Sequence, residues 1–94
     1  MKTTNMKTTT QPQLPDFALI VLTQGFVYSG SPRIEGDYII ITGAKNVRLS
    51  GTSRGFGQLA AEGPTPETVL DPCPDVIAPI GALVHIMVCS CKPF

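Results

Sequence analysis

The sequence predicts a mainly β fold: a small five-stranded antiparallel barrel with one short helical insertion. Three observations predict it. The apolar runs are short and rich in Val and Ile, as in "ALIVL" and "YIIIT", side chains that pack well on a pleated surface. Nine glycines and nine prolines cut the chain into pieces too short for long helices. One stretch, at Phe56, Leu59 and Ala60, has apolar residues at the helical spacing i, i+3, i+4. Short strands in a chain this small leave exposed edges unless the sheet curls on itself, so a barrel is expected.

Each element has its own local reason. "MKTTNMKTTTQPQLP" is polar, Thr-rich, repeats MKTT and ends on Pro15; residues 1–15 are expected to form a flexible arm ahead of a single domain, 16–94. "DFALIVLTQG" (Asp16–Gly25) is a strand closed by a turn signal, and "FVYSG" (Phe26–Gly30) follows it across a hairpin at Gln24-Gly25. "SPRIEGD" (Ser31–Asp37) is turn-rich and is expected to be a link. "YIIITG" (Tyr38–Gly43) and "AKNVRLSG" (Ala44–Gly51) are two further strands. The helical turns after Phe56 end at Gly63. "PTPETVLDPCPDV" (Pro64–Val76) is spaced by prolines, which remove ladder donors, so it is no central strand. β character returns over Val76–Ser90, with a break near Pro79-Ile80-Gly81. Alternation along the strands predicts a core containing Leu19, Val21, Ile39, Ile41, Val47, Leu49, Val84, Ile86 and Val88.

Seven basic and seven acidic residues give zero net charge. That disfavours non-specific nucleic-acid binding, which needs clustered positive charge, and it weakens repulsion between copies, so a homo-oligomer is expected. The charges are segregated. Lys45, Arg48 and Arg54 lie in a stretch without carboxylates, and Glu62, Glu67, Asp71 and Asp75 in a stretch without bases. The basic stretch can face an anion or an acidic segment. Three cysteines and no apolar leader point to a reducing, intracellular setting. The longest apolar run, Phe17–Leu22, is far shorter than the ~20 residues that cross a bilayer, so no membrane partner is expected.

The segment richest in possible chemistry is "RLSGTSRGFGQLAAEG" (Arg48–Gly63). Gly51, Gly55 and Gly57 free the backbone to turn its N–H groups inward, and Thr52 and Ser53 offer hydroxyl donors. Arg48 and Arg54 can bind phosphate in bidentate fashion, and Tyr28 or Phe56 can stack on a base. The candidate ligand site is therefore Arg48, Gly51, Thr52, Ser53, Arg54, Gly55, Phe56 and Gly57. It lacks the Gly-Lys-Ser/Thr of a P-loop, and the same glycines also serve a tight strand-to-helix connection. Asp71, before Pro72, is suited to an Asx-turn or to a salt bridge with Arg48 or Arg54. No metal is expected. His85 and Cys89 in one strand stand ~13 Å apart, too far for one zinc. No cofactor is expected either. The lone histidine lies in an apolar strand, and the spacing of Ser53, Asp71 and His85 does not recommend a catalytic set. The chain is therefore expected not to be an enzyme.

Two resemblances extend this. "LTQGFVYSG" (Leu22–Gly30), "EGDYIIITGAKNVRL" (Glu35–Leu49) and "IGALVHIMV" (Ile80–Val88) are similar to the opening and closing strands of Sm-like small barrels. Pro79-Ile80 stand where that family has Arg-Gly, and its uridine-holding Asp/Asn residues are not evident. The resemblance thus implies an SH3/Sm-like barrel and a ring-like oligomer more than RNA binding. Gly51, Thr52, Gly55, Gly57, Leu59, Gly63, Pro64, Thr65, Thr68, Leu70, Asp71 and Pro72 match a signature of short phage and prophage proteins. This implies a viral protein in the host cytoplasm. The expected function is a non-enzymatic counter-defence binding protein that sequesters a small nucleotide-like anion or blocks a host protein. A scaffolding component of a phage particle and an Sm-type single-strand RNA binder are the alternatives.

Overall fold

The computed structural model describes residues 13–94, so most of the arm expected over residues 1–15 lies outside the described residues. Six strands and one helix follow in chain order: β1 (Ala18–Leu22), β2 (Val27–Glu35), β3 (Tyr38–Leu49), α1 (Phe56–Glu62), β4 (Val69–Pro72), β5 (Val76–Pro79) and β6 (Leu83–Val88). All pairings are antiparallel. The sheet order is β4-β3-β2-β1-β6, and β5 also pairs with β3. The protein is mainly β and barrel-like, with the short helix inserted between β3 and β4, but the sheet is not closed. There are six strands where five were expected.

The length of β3 follows from its partners. On one side it runs along β2; on the other it holds β5 with Tyr38–Ile41 and β4 with Lys45–Leu49. A bulge at Gly43, where φ is +61°, bends the strand between these two partners. Opposite the bulge, Gly30 allows close approach: a Cβ there would stand 2.7 Å from Ile41 Cγ2. "YIIITG" and "AKNVRLSG" are thus one bent strand and not two. "SPRIE" is the second half of β2, paired with β3 through Glu35↔Tyr38. The expected link Ser31–Asp37 is thus strand up to Glu35, with Pro32 buried and paired opposite Ile41, and only Gly36-Asp37 forms the turn. The break at Ile80–Ala82 is a 3₁₀ turn between β5 and β6. β4 sits beyond β3 at an edge of the sheet, as its prolines require.

The core has two parts, one on each face of β1. Ala18, Ile20 and Leu22 pack with Ile39, Ile41, Ala44 and Ala78 inside the curl of the sheet. Leu19 packs on the other face with Val27, Val47, Leu59 and Ala60, beneath α1. The C-terminal segment covers the same face: Ser90 N–H bonds to the Ala60 carbonyl at 3.0 Å, and Phe94 meets Phe17 edge-on at 5.1 Å. Of the expected core, Leu19, Ile39, Ile41 and Val47 are buried and Val21 and Ile86 half-buried. Leu49, Val84 and Val88 are exposed. Leu49 ends β3 beyond a register shift, and β6 is an edge strand.

Candidate functional site

The loop from Ser50 to Gly55 joins β3 to α1, and its course is fixed by side chains that arrive later in the chain. Gly51 has φ +66° and lies so close to the backbone of Glu67 and Thr68 that no Cβ fits. Thr65 Oγ1 donates to the Gly51 carbonyl at 2.5 Å, and Thr68 Oγ1 donates to the Ser50 carbonyl at 2.6 Å. Thr68 Oγ1 in turn accepts the Thr65 N–H at 2.8 Å. These two threonines clasp the start of the loop. Within it, Thr52 Oγ1 donates to the Gly55 carbonyl at 2.6 Å.

Gln58, in the first turn of α1, folds back over the loop. Its Oε1 accepts the Arg54 N–H at 2.9 Å and the Ser53 hydroxyl at 3.3 Å. A carbonyl oxygen from the same chain thus occupies the Arg54 amide. The Arg54 guanidinium reaches along the helix to Glu62 Oε2 at 2.5 Å. Arg48 forms a two-point pair with Asp71: Nε to Oδ2 at 2.7 Å and Nη2 to Oδ1 at 3.3 Å. The hydrogen bond from Arg48 holds the Asp71 carboxyl below its ordinary range, and the same bond raises Arg48. Both pairs are solvent-exposed. The segregated charges therefore meet within one chain, basic stretch against acidic stretch.

The candidate residues fall into three groups. Gly51 and Thr52 belong to the clasp. Arg48, Ser53 and Arg54 are exposed or lie at the rim, each with an intramolecular partner. Gly55 and Gly57 face open space, where a Cβ would meet nothing within 4 Å. Phe56 packs against the cluster under α1, and Tyr28 against the inner cluster. No cleft forms beside the loop among the described residues. Several positions between Gly51 and Pro72 have local structural uses: Gly63 caps α1 through its N–H on the Leu59 carbonyl, Leu59 is buried, and Asp71 holds Arg48.

The remaining chemistry-bearing residues are dispersed. His85 on β6 and Asp71 on β4 stand on edge strands at opposite ends of the strand order. No group of three His, Cys, Asp or Glu residues among the described residues has metal-binding geometry. Burial, reinforced by neighbouring Cys91, pushes the Cys89 thiol up to about 11. No described helix is long and apolar enough to cross a membrane.

A second surface, which the sequence reading did not single out, lies on the outer side of the β2-β3-β5 region. Ile40 pairs with Ile77 and Tyr38 with Pro79. Cross-strand partners share a face, so these four lie on the side opposite buried Ile39, Ile41 and Ala78. Tyr38 is 52% exposed and Ile77 66%. Arg33 and Glu35 flank them from β2, paired to each other at 2.6 Å. A directly alternating strand would have revealed Tyr38 and Ile40 as an outward pair; their partner Ile77 depended on a long-range pairing.

The fold and these surfaces define a small, open, antiparallel β-domain with one covering helix. No family model, curated protein or solved structure matches the chain.

Proposed function

We propose that this domain is a non-enzymatic binding protein that acts by protein–protein contact, through the outer face of Tyr38, Ile40, Ile77 and Pro79. The observation that carries the reading is the composition of that face: an exposed tyrosine and isoleucine at the centre, with an ion pair at the rim. An aromatic anchor within an apolar centre and a polar margin is the usual anatomy of a protein interface. On the resemblance of Gly51–Pro72 to short phage proteins, the occupant in this reading is a host protein met in the host cytoplasm. The test is affinity capture from a bacterial host lysate, with wild-type protein beside Tyr38→Ala and Ile77→Glu. A partner held by the wild type should be lost from both, Tyr38→Ala costing about 2 kcal/mol or more. Retention by both variants, with their fold intact, defeats the reading.

A second reading is favoured by one observation: Gly55 and Gly57 leave the backbone open beside exposed Arg54. A small nucleotide-like anion would bind there by displacing Glu62 from Arg54. Cyclic and linear nucleotides should then raise the melting temperature of the wild type and not of Arg54→Ala. An equal response of the two proteins removes this reading.

A further inference from the structure

The chain leaves β6 at Val88 and passes beside α1, and two of its three cysteines stand in this passage, Cys89 and Cys91. Ser90, between them, is pinned to the helix. Its N–H donates to the Ala60 carbonyl at 3.0 Å and its hydroxyl to the Ala61 carbonyl at 3.3 Å. Both flanking thiols come down on the same helical turn: Cys89 packs against the cluster that holds Leu59 and Ala60, and the Cys91 thiol faces the Leu59 carbonyl at 3.8 Å. Cysteines two residues apart have Cα atoms at most ~6.8 Å apart, inside the range that a disulfide spans. Spacing and direction therefore both permit a bridge. Burial, and after it the neighbouring Cys91, pushes the Cys89 thiol up to about 11, and a hydrogen bond between the two thiols adds to this. Cys73 stands apart from the pair. It packs against the inner cluster, and its thiol donates to the Ala44 carbonyl at 3.4 Å.

We propose that Cys89 and Cys91 are a dithiol that closes to an intramolecular disulfide by exchange with a low-molecular-weight disulfide. The Cys91 thiolate attacks one sulfur of the small disulfide. That S–S bond breaks, and the first small thiol leaves with the proton that Cys91 gave up. The Cys89 sulfur then attacks the Cys91 sulfur of the mixed disulfide. The second small thiol leaves with the Cys89 proton, and the bond between Cys89 and Cys91 is complete. Two protein thiols are oxidised, and one small disulfide is reduced to two thiols. Burial sets the order: Cys89, held as the thiol, is a slow nucleophile towards a solute, whereas its attack on Cys91 is intramolecular and needs no encounter. Both cysteines are half-buried, so a small oxidant reaches them more readily than a protein one does. A bridge across so short a segment, still partly open to solvent, is of the readily reduced kind. The pair is therefore open in a reducing setting and closes when small disulfides accumulate. The inference goes beyond the proposed function and stands without it, since it uses none of Tyr38, Ile40, Ile77 and Pro79.

The test treats the reduced full chain with oxidised glutathione, blocks the remaining thiols with iodoacetamide, and reads intact mass and cysteine-bearing peptides by mass spectrometry. The wild type should take one blocking group, on Cys73, and carry a bond between Cys89 and Cys91 that reduced glutathione reverses. Cys73→Ala should form the same bond. Cys89→Ser should stop at the mixed disulfide on Cys91, and Cys91→Ser should gain its adduct on Cys89 ~10-fold or more slowly, both with an unchanged circular dichroism spectrum. Equal rates in these two variants overturn the order of attack. The wild-type result needs no variant. All three cysteines blocked, glutathione left on Cys91 without the internal bond, a bond that uses Cys73, or covalent dimers in place of the internal bond would each overturn the proposal.

Discussion

Replacing Thr68 by valine keeps the shape of the side chain and removes one hydroxyl. That hydroxyl does two things at once: it donates to the Ser50 carbonyl at 2.6 Å and accepts the Thr65 N–H at 2.8 Å. Thr68→Val therefore leaves one backbone acceptor and one backbone donor without partners. A hydrogen bond contributes about 1 kcal/mol net, and leaving a group unsatisfied costs more as water is excluded. The site is half-buried, so water reaches part of it, and the expected loss is about 1–2 kcal/mol. The assay is urea unfolding, where the midpoint should fall and the slope stay the same. Thr68→Ser restores the hydroxyl without the methyl and should recover most of the loss. In a double-mutant cycle, Thr65→Val and Thr68→Val should be less than additive, because the two hydroxyls hold the same piece of loop. If Thr68→Val and Thr68→Ser are equally stable, the clasp does not hold the loop and the hydroxyl argument is wrong.

Ile41→Ala removes a fully buried side chain from the inner core and should cost about 2–5 kcal/mol, read as a lower melting temperature; no change would misplace β3. Ser29 has a buried Oγ without a hydrogen-bond partner. Ser29→Ala should be neutral or raise stability by up to ~1 kcal/mol, and a large loss would mean that the hydroxyl has a partner. Asp71 is held below its ordinary value of 3.8 in the folded state. Its contribution is therefore present above that pH and is lost as pH falls through the lower folded value. Asp71→Asn should flatten this acid limb in a pH series of melting curves, with a small effect because the pair is exposed and salt-screened; an unchanged acid limb counts against the pairing.

How much of this was legible in the sequence depended on whether the cause was local. The β character, the turn at Gly36-Asp37, the helix from Phe56 to its Gly63 cap and the break at Ile80 all follow from residues close in sequence, and all are present. The core was only partly legible. Alternation assigns one buried face per strand, but Ala18, Leu19 and Ile20 are all fully buried, because β1 has a core on each side. Leu49 is exposed because β3 changes register against β4 between Val47, which is buried, and Leu49, and a one-residue shift exchanges faces. At the loop, the glycines and the Asp71 pairing with an arginine were legible from residue chemistry. The threonine clasp was not: Thr68 reaches back 18 residues to Ser50, a contact that only the paired β3 and β4 create.

The distribution of charge bears on which surface can recognise a partner. Arg48 and Arg54 each already have a carboxylate, from Asp71 and Glu62. An incoming anion at either arginine replaces one anion by another, so its net gain is the difference between two similar interactions in water, and that difference is small for exposed pairs. The amide of Arg54 imposes the same exchange, because the Gln58 carbonyl already holds it. The apolar surfaces have no such competitor. Water is all that leaves Tyr38, Ile77, Val84 or Val88, and removing it from apolar area contributes roughly 25 cal/mol per Å². The two kinds of surface therefore respond differently to salt: contact through the apolar ones should hold or strengthen as salt rises, whereas an anion bound by Arg54 should be released. Binding of a captured partner measured from low to high salt distinguishes them, and loss of the partner at high salt would return the arginine loop to first place.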